Sequence, residues 1–500
     1  MDELGAGARR LLVRVEELKN SFQPIQRLPP DMIVEVATYL NPRACDGEFQ
    51  PLMAISQVCR LWRETLLSNP ESWCFVRSSF LELVPLFLGR SGSYPLEIDL
   101  TDTWSSYAVG HLRSHAKQLT ILRCCVGEAS TSFLRTLSRL DHSPNLHTLS
   151  ISSNREPAMA PELIKVAFIS GDMPTLHTLE LLPFPIIPQF VHLKHLTNLR
   201  LDVRYSTLTT VLDLLAANPS LEKVRLIGNF DSEDDEDTRT AESIVLGCLK
   251  FLSVERCVPR RFLEKLTLPR GARVFIRYNP SRLVPPAFAL QQPMERYANL
   301  QGLTSLYAIM GGMRDTYVDA TGPNGSIAMR FVELWDSSPI CDAIAPLSTT
   351  VTRLAFEFHP ALDVVRIDKV TEIMGVLPHL EEIELVHFGG ENIRDFLSVL
   401  RTTNKWTQLQ RLKLVHCRRV TDWIVDLIRV ALERKGDGLI LETVTIVYER
   451  ERLPGMSERL ERAVGMLELV EESEAETVRS ELVWDDASCT ARITSVPVWD

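Results

Sequence analysis

The 500-residue chain has no Cys-x-x-Cys pair, no glycine-rich phosphate loop and no apolar run that approaches the ~20 residues needed to span a bilayer. Its ten cysteines are scattered, with only Cys124 and Cys125 adjacent. Neither a disulfide framework nor a zinc module is indicated, and reduced, mostly buried thiols are expected. Gly311-Gly312 and Gly389-Gly390 are turn pairs without the helix and lysine that a nucleotide site requires. Basic residues are also in deficit, 54 Lys and Arg against 65 Asp and Glu, for a formal charge of -11. A partner that is mainly a phosphate backbone is therefore disfavoured. The start, Met-Asp-Glu-Leu-Gly, lacks the basic-then-apolar order of a secretory signal. The expectation is a soluble intracellular protein, cytoplasmic or nuclear. No grouping of nucleophile, base or metal ligands stands out, so no enzyme activity, cofactor or metal is expected.

What the chain does have is apolar residues, 45% of the total, arranged in a recurring phrase. Beyond Pro95 the pattern Leu-x-x-Leu-x-Leu returns at intervals of roughly 20 to 32 residues. The clearest copies are Leu146, Leu149, Ile151; Leu176, Leu179, Leu181; Leu196, Leu199, Leu201; Leu221, Val224, Leu226; and Leu249, Leu252, Val254. Later copies are Val351, Leu354, Phe356; Leu380, Ile383, Leu385; Leu409, Leu412, Leu414; and Leu441, Val444, Ile446. The last residues of each phrase alternate as in a strand, the stretches between carry helical spacing, and a Pro-x-Leu often marks the passage from helix to strand. Between Val254 and Val351 the phrase fades; Val274, Ile276, Leu303, Leu306, Phe331 and Leu334 mark degenerate copies, and prolines 280, 285 and 286 suggest projecting loops. The acidic run Asp231 to Asp237 reads as a solvated insertion. After Tyr448 a helix from Met456 to Leu469 and an acidic tail are expected.

The N-terminal part has a different texture. Leu11, Leu12, Val15 and Leu18 recur at helical spacing between Leu4 and Ser21. Pro24 and Pro29-Pro30 interrupt helicity, and a second helix begins at Pro30-Asp31 with Ile33, Val36, Ala37 and Leu40 on one face. After a loop, Leu52, Ile55, Val58, Cys59, Trp62 and Leu66 define another, stopped by Asn69-Pro70. Trp73, Phe75 and Val76 follow. Short helices with this much apolar surface usually need a partner.

The order Leu28-Pro29-Pro30-Asp31, then Ile33, Val36 and Leu40, then Val58-Cys59-Arg60-Leu61-Trp62-Arg63, then Pro70 and Trp73 resembles the F-box, over about a tenth of the chain. With the preceding helix, the whole looks like fungal F-box proteins that carry leucine-rich repeats. The resemblance implies an α/β fold: a short all-α F-box module followed by a leucine-rich repeat solenoid, a horseshoe of parallel strands and helices. The segments would be an amphipathic helix over 1–23, the F-box over 24–76, the repeats over 77–450 and a cap with acidic tail over 451–500. It also implies docking onto the Skp-type linker of a Skp-cullin-F-box ubiquitin ligase, and through it cullin, with the repeats binding an unknown protein substrate. The linker-facing residues would be Leu28, Pro29, Ile33, Val36, Leu40, Ile55, Val58, Cys59, Trp62 and Trp73, with Arg60 and Arg63 at the rim. The connection from Asn41 to Pro51 is longer than the family usually has, so the resemblance does not fix the register between the helices.

Two readings stand for Trp62 and Trp73, interface anchor and core residue. Cys59 lies on an apolar helical face without a base nearby and reads as packing. His177, His192, His195, His379, His387 and His416 match no metal spacing and stay unassigned. Outside the ligase reading, the chain would be a leucine-rich scaffold capped by its N-terminal helices, or a regulator of a GTPase for which no arginine can be nominated.

Overall fold

The structure, a computed structural model, describes residues 2–24, 28–39, 51–77, 83–100, 111–126, 144–153, 173–182, 193–228, 243–255, 262–263, 265–278, 303–311, 315–323, 325–332, 340–341, 344–345, 349–358, 367–402, 406–417, 420–448, 460, 462–464, 466–471, 478–485 and 490–497. Leu40, the 41–50 loop, the acidic run 231–237 and prolines 280, 285 and 286 lie outside them. The chain divides into two compact units, Met1–Ser206 and Thr207–Asp500.

The first unit opens with four helices, α1 (Asp2–Ser21), α2 (Pro30–Tyr39), α3 (Pro51–Ile55) and α4 (Arg60–Ser68), then a 3-10 turn at Pro70–Trp73. Strand β1 (Phe75–Arg77) and helix α5 (Val84–Arg90) lead into β2 (Leu96–Leu100), β3 (Leu119–Val126), β4 (Thr148–Ser153), β5 (Thr178–Leu182) and β6 (Asn198–Asp202). These six strands pair in chain order and all in parallel. The repeated phrase explains the order. Leu149, Leu179 and Leu199 stand opposite one another, as do Ile151, Leu181 and Leu201, and all are buried. One buried ladder thus forms at each apolar position of the phrase, while the residues between them face the other side of the sheet.

The second unit begins with α6 (Leu208–Ala217) and β7 (Lys223–Ile227), followed by a short strand β8 (Ile244–Val245) that pairs with β10 (Leu266–Thr267). The main sheet continues from β7 to β9 (Phe251–Glu255) and β11 (Arg273–Tyr278), both parallel to it. Next come β12 (Ser305–Gly311), β13 (Asp315–Gly322) and β14 (Gly325–Val332), an antiparallel meander. It is inserted back to front: β14 pairs parallel with β11, and β12 pairs parallel with β15 (Arg353–Phe358). After α7 (Ile367–Gly375) the sheet grows through β16 (Glu382–Val386), helix α8 (Gly390–Thr402), β17 (Arg411–Val415), helix α9 (Val420–Gly436), β18 (Thr443–Tyr448) and β19 (Met466–Glu471), all parallel. A hairpin of β20 (Val478–Asp485) and β21 (Thr490–Pro497) ends the chain.

The fold is therefore mixed α/β with long parallel sheets, as leucine-rich repeat proteins are built. The meander accounts for the fading of the phrase between Val254 and Val351. Val274, Ile276 and Leu306 do continue the buried ladders, but β13 runs against its neighbours and cannot carry the one-way phrase. Gly322 and Gly325 pair at the mouth of its second hairpin. The helix expected over Met456 to Leu469 is corrected at its C-terminal end, where residues 466–471 add a further strand beside β18. Alternation in Met-Leu-Glu-Leu-Val-Glu favours that strand once β18 offers an edge.

Neighbouring repeats are stitched at their turns as well as along their strands. Trp406 Nε1 donates to the Met374 carbonyl at 3.0 Å, and Arg434 Nη2 donates to the Trp406 carbonyl at 2.9 Å. Helices α7 and α8, and α8 and α9, pack side by side. Leu385 is fully buried between Phe356 and Leu414 of the adjacent strands. Leu385→Ala should cost about 2–5 kcal/mol, read as a lower denaturation midpoint, whereas Val425→Ala on an exposed helix position (45%) should stay within about 0.5 kcal/mol.

Candidate functional site

Two places collect residues of functional interest, the N-terminal helices of the first unit and the open face of the sheet in the second. In the first, α2 packs against α3, α4 and the 3-10 turn. Cys59 sits just before α4 with its Sγ accepting from the Trp62 amide at 3.5 Å, and Asn69 accepts from the Glu71 amide at 3.2 Å to start the 3-10 turn. These caps satisfy amides that a short helix leaves without acceptors. Arg63 Nε donates to the Ser56 carbonyl at 2.9 Å and ties α3 to α4, while Arg60 pairs with Glu64 along α4 at 2.7 Å.

The residues nominated as linker-facing separate into layers. Ile33, Ile55, Trp62 and Trp73 are buried; Leu28, Val36 and Cys59 are half-buried; Pro29 and Val58 are exposed. Leu40 lies outside the described residues. For the tryptophans the core reading holds in this structure. Trp73 has no exposure; its Nε1 donates to the Leu66 carbonyl at 2.8 Å, and its ring meets Phe87 edge-on with centroids 5.0 Å apart. The Arg90 guanidinium lies 4.4 Å from its centroid. Trp62 is buried with its Nε1 lacking an acceptor. Among the described residues, the large apolar side chains left in water here are Met32, Tyr39, Leu61 and Leu67 on the helices and Val58 in the turn between α3 and α4, of which the resemblance had nominated Val58 alone. On α1, Leu11, Leu12, Val13, Val15 and Leu18 are exposed as well.

In the second unit the open face carries charges in register. Glu382 of β16 lies between Arg353 of β15 and Arg411 of β17, at 3.3 and 3.0 Å. Glu384 pairs with Lys413 at 2.8 Å. Toward the other end, Glu255 of β9 takes Arg225 of β7 at 2.7 Å and Arg277 of β11 at 3.7 Å. Two non-glycine residues at strand exits, His387 and His416, adopt left-handed backbone, with φ of 61° and 50°. Each donates its amide to the next strand, to Val415 and Val447, and their rings stack at 5.1 Å. His147 and His177 stack likewise at 5.9 Å, and His177 Nδ1 lies 3.1 Å from the His195 carbonyl. His387 and His416 thus mark equivalent strand exits, and His147 and His177 equivalent strand entries, of neighbouring strands.

Among the described cysteines, Cys124, Cys125 and Cys417 are buried as the packing reading has it, Cys59, Cys74 and Cys341 are half-buried, and Cys248, expected to fill a repeat position, is exposed. Burial pushes the Cys124 thiol up strongly, and pushes Cys417 up to about 12. Cys417 Sγ also lies 3.6 Å from the Leu385 carbonyl. A protonated buried thiol is a poor nucleophile. No helix among the described residues is long and apolar enough to cross a membrane.

No protein-family model matches the chain, and neither does any curated protein. Among solved structures, the chain is similar to the leucine-rich repeat-containing protein LegL7 from Legionella pneumophila, at 11% identity and a TM-score of 0.22, over 75% of this chain and 89% of that one. A likeness at that level carries no functional conclusion.

Two outcomes are expected. Trp73→Ala should cost about 3–5 kcal/mol in thermal or chemical melts, and Trp73→Phe about 1 kcal/mol, since the ring contact survives and the indole hydrogen bond does not. Because the folded Cys417 thiol titrates near 12 against an ordinary value of 9.0, its contribution is complete below pH 9 and is lost as pH rises toward 12. Cys417→Ala should therefore lose less stability than the parent between pH 9 and 12, measured by denaturation across that range.

Proposed function

We propose that this chain is a substrate-recognition adaptor of a Skp-cullin-F-box ubiquitin ligase, working in the cytoplasm or nucleus. The N-terminal helices dock the Skp-type linker, the repeats hold a protein substrate, and the chemistry belongs to other subunits. The observation that carries this reading is the layering of the N-terminal helices. Ile33, Ile55, Trp62, Leu66 and Trp73 form their interior, and Met32, Val58 and Leu61 are left 44%, 50% and 41% exposed on helix surfaces or their edges. Apolar side chains in such positions favour a partner that removes them from water, each worth about 1–3 kcal/mol when fully covered. The docking surface then consists of Pro29, Val58, Met32 and Leu61 with the edges of Leu28 and Val36, and the tryptophans act by holding that surface in shape.

A second reading, a leucine-rich scaffold in which these helices only cap the repeats, is favoured by one observation: β1, which follows Trp73 directly, pairs with β2, and Trp73 contacts Phe87 of α5. The two readings separate in the full-length chain. Val58→Asp places a charge at an exposed position, so melting should be unchanged while binding to a purified Skp-type linker falls by at least tenfold, about 1.4 kcal/mol. Binding of parent and variant with equal affinity, or of neither, would leave only the capping role.

A further inference from the structure

Charges on the open face of the second unit's sheet mostly cancel across neighbouring strands, as the Arg353–Glu382–Arg411 and Lys413–Glu384 contacts do. One region departs from that rule. On β7, β9 and β11, the side chains of Lys223, Arg225, Arg273 and Arg277 all project on this face. Among the described residues of those three strands, Glu255 is the carboxylate that answers them. Glu255 is engaged by Arg225 at 2.7 Å and more loosely by Arg277 at 3.7 Å. The next strand, β14, brings Arg330 into register beside Arg277, and β13 places Asp319 opposite Ala328 of β14. The Asp319 carboxyl faces the charge of Arg273, yet burial raises its pKa above the ordinary carboxylate value, and its Oδ1 is buried without a hydrogen-bond partner. A cationic strip therefore stands on a chain whose net charge is -11.

We propose that this strip, on β7, β9 and β11, is a binding site for an extended acidic peptide segment of a partner protein. Its dimensions suit that ligand. Strands two positions apart are separated by about 10 Å, and residues four apart along one strand by about 13 Å. Arg273 and Arg277 thus match carboxylates four residues apart on an extended peptide laid along β11, with Lys223 reaching it from the side. Arg273 and Lys223 are exposed and the Arg277 side chain is 37% exposed, so their guanidinium and ammonium groups are open to carboxylates. Arginine's planar fork grips a carboxylate with two hydrogen bonds. Between them in register on the same face, Ser253 and Phe275 are buried. A long polyanion such as nucleic acid would extend beyond the strip and meet the acidic remainder of the chain, whereas a short segment lies within about 10 Å, the distance over which salt leaves local charge effective.

The site deepens the adaptor reading by giving the chemistry of what the repeats hold, and peptide binding needs no linker, so the two fail separately. The test is fluorescence anisotropy on the full-length chain. The probes are a labelled peptide of about a dozen alternating Glu and Ser residues, its Gln-for-Glu counterpart, and a single-stranded oligonucleotide of equal charge. The Glu peptide should bind, more weakly as salt rises, and the Gln peptide should not. Arg273→Glu with Arg277→Glu should weaken binding at least about tenfold, whereas Lys413→Glu, on the same face farther along the sheet, should change it less than about twofold. Should the double reversal lower the melting temperature, Arg273→Gln with Arg277→Gln gives the same comparison. Val58→Asp should leave peptide binding intact. The proposal is overturned if the Glu peptide does not bind, if Lys413→Glu weakens it as much as the double variant, or if the oligonucleotide binds as tightly as the Glu peptide.

Discussion

The structure depends on one constraint: parallel strands must exchange backbone hydrogen bonds in register while the same two apolar side chains of every repeat stack beneath them. A parallel sheet cannot expose both faces and remain stable, so the residues on one face must be apolar at every rung. Leu354, Ile383, Leu412 and Val444 make one such ladder, and Phe356, Leu385, Leu414 and Ile446 the next. A slip of one residue in any strand would turn its apolar pair outward and bring charged residues such as Glu384 or Lys413 inward. Backbone links at the turns, including Glu382 to Thr352 and Gln410 to Glu381, lock that register before each strand begins.

With one face committed to packing, the opposite face is free to carry chemistry. Cross-strand ion pairs between half-exposed side chains contribute little to stability, commonly under about 1 kcal/mol, but they decide what the face attracts. Where Glu382 and Glu384 neutralise their arginine and lysine neighbours, the sheet presents little net field. Near β11, among the described side chains, cations are in excess, and it is here that the inserted meander takes the place of another repeat. The departure from regular repeats and the departure from charge balance thus fall together.

The N-terminal helices obey a different economy. They are too short to bury much on their own, and two tryptophans close their interior. Trp73 shows why the indole belongs inside: its N–H reaches the Leu66 carbonyl and its ring fills the space against Phe87. For the adaptor proposal this moves the recognition surface outward, from Trp62 and Trp73 to the smaller apolar residues around Val58.

Much was legible in the amino-acid sequence. The phrase Leu-x-x-Leu-x-Leu determined which face of the parallel strands carries the apolar ladders in both units, because a period of two on a parallel strand leaves a single choice of face. The helix at Pro30 was readable from proline placement and apolar spacing, and the burial of Cys124 and Cys417 from their positions in or beside the repeats, whereas the single helix expected from Leu52 to Leu66 is broken into α3 and α4, with Cys59 in extended backbone capping the second. Tertiary structure alone decided the rest. Spacing cannot distinguish an inward Trp62 from an outward one, since both keep the helical period. The reversal of β13 follows from which strand edges meet, and the strand at Met466 from the edge that β18 offers. The cationic strip joins Lys223 to Arg277, residues whose separation along the chain conceals that two strand spacings bring them onto one face.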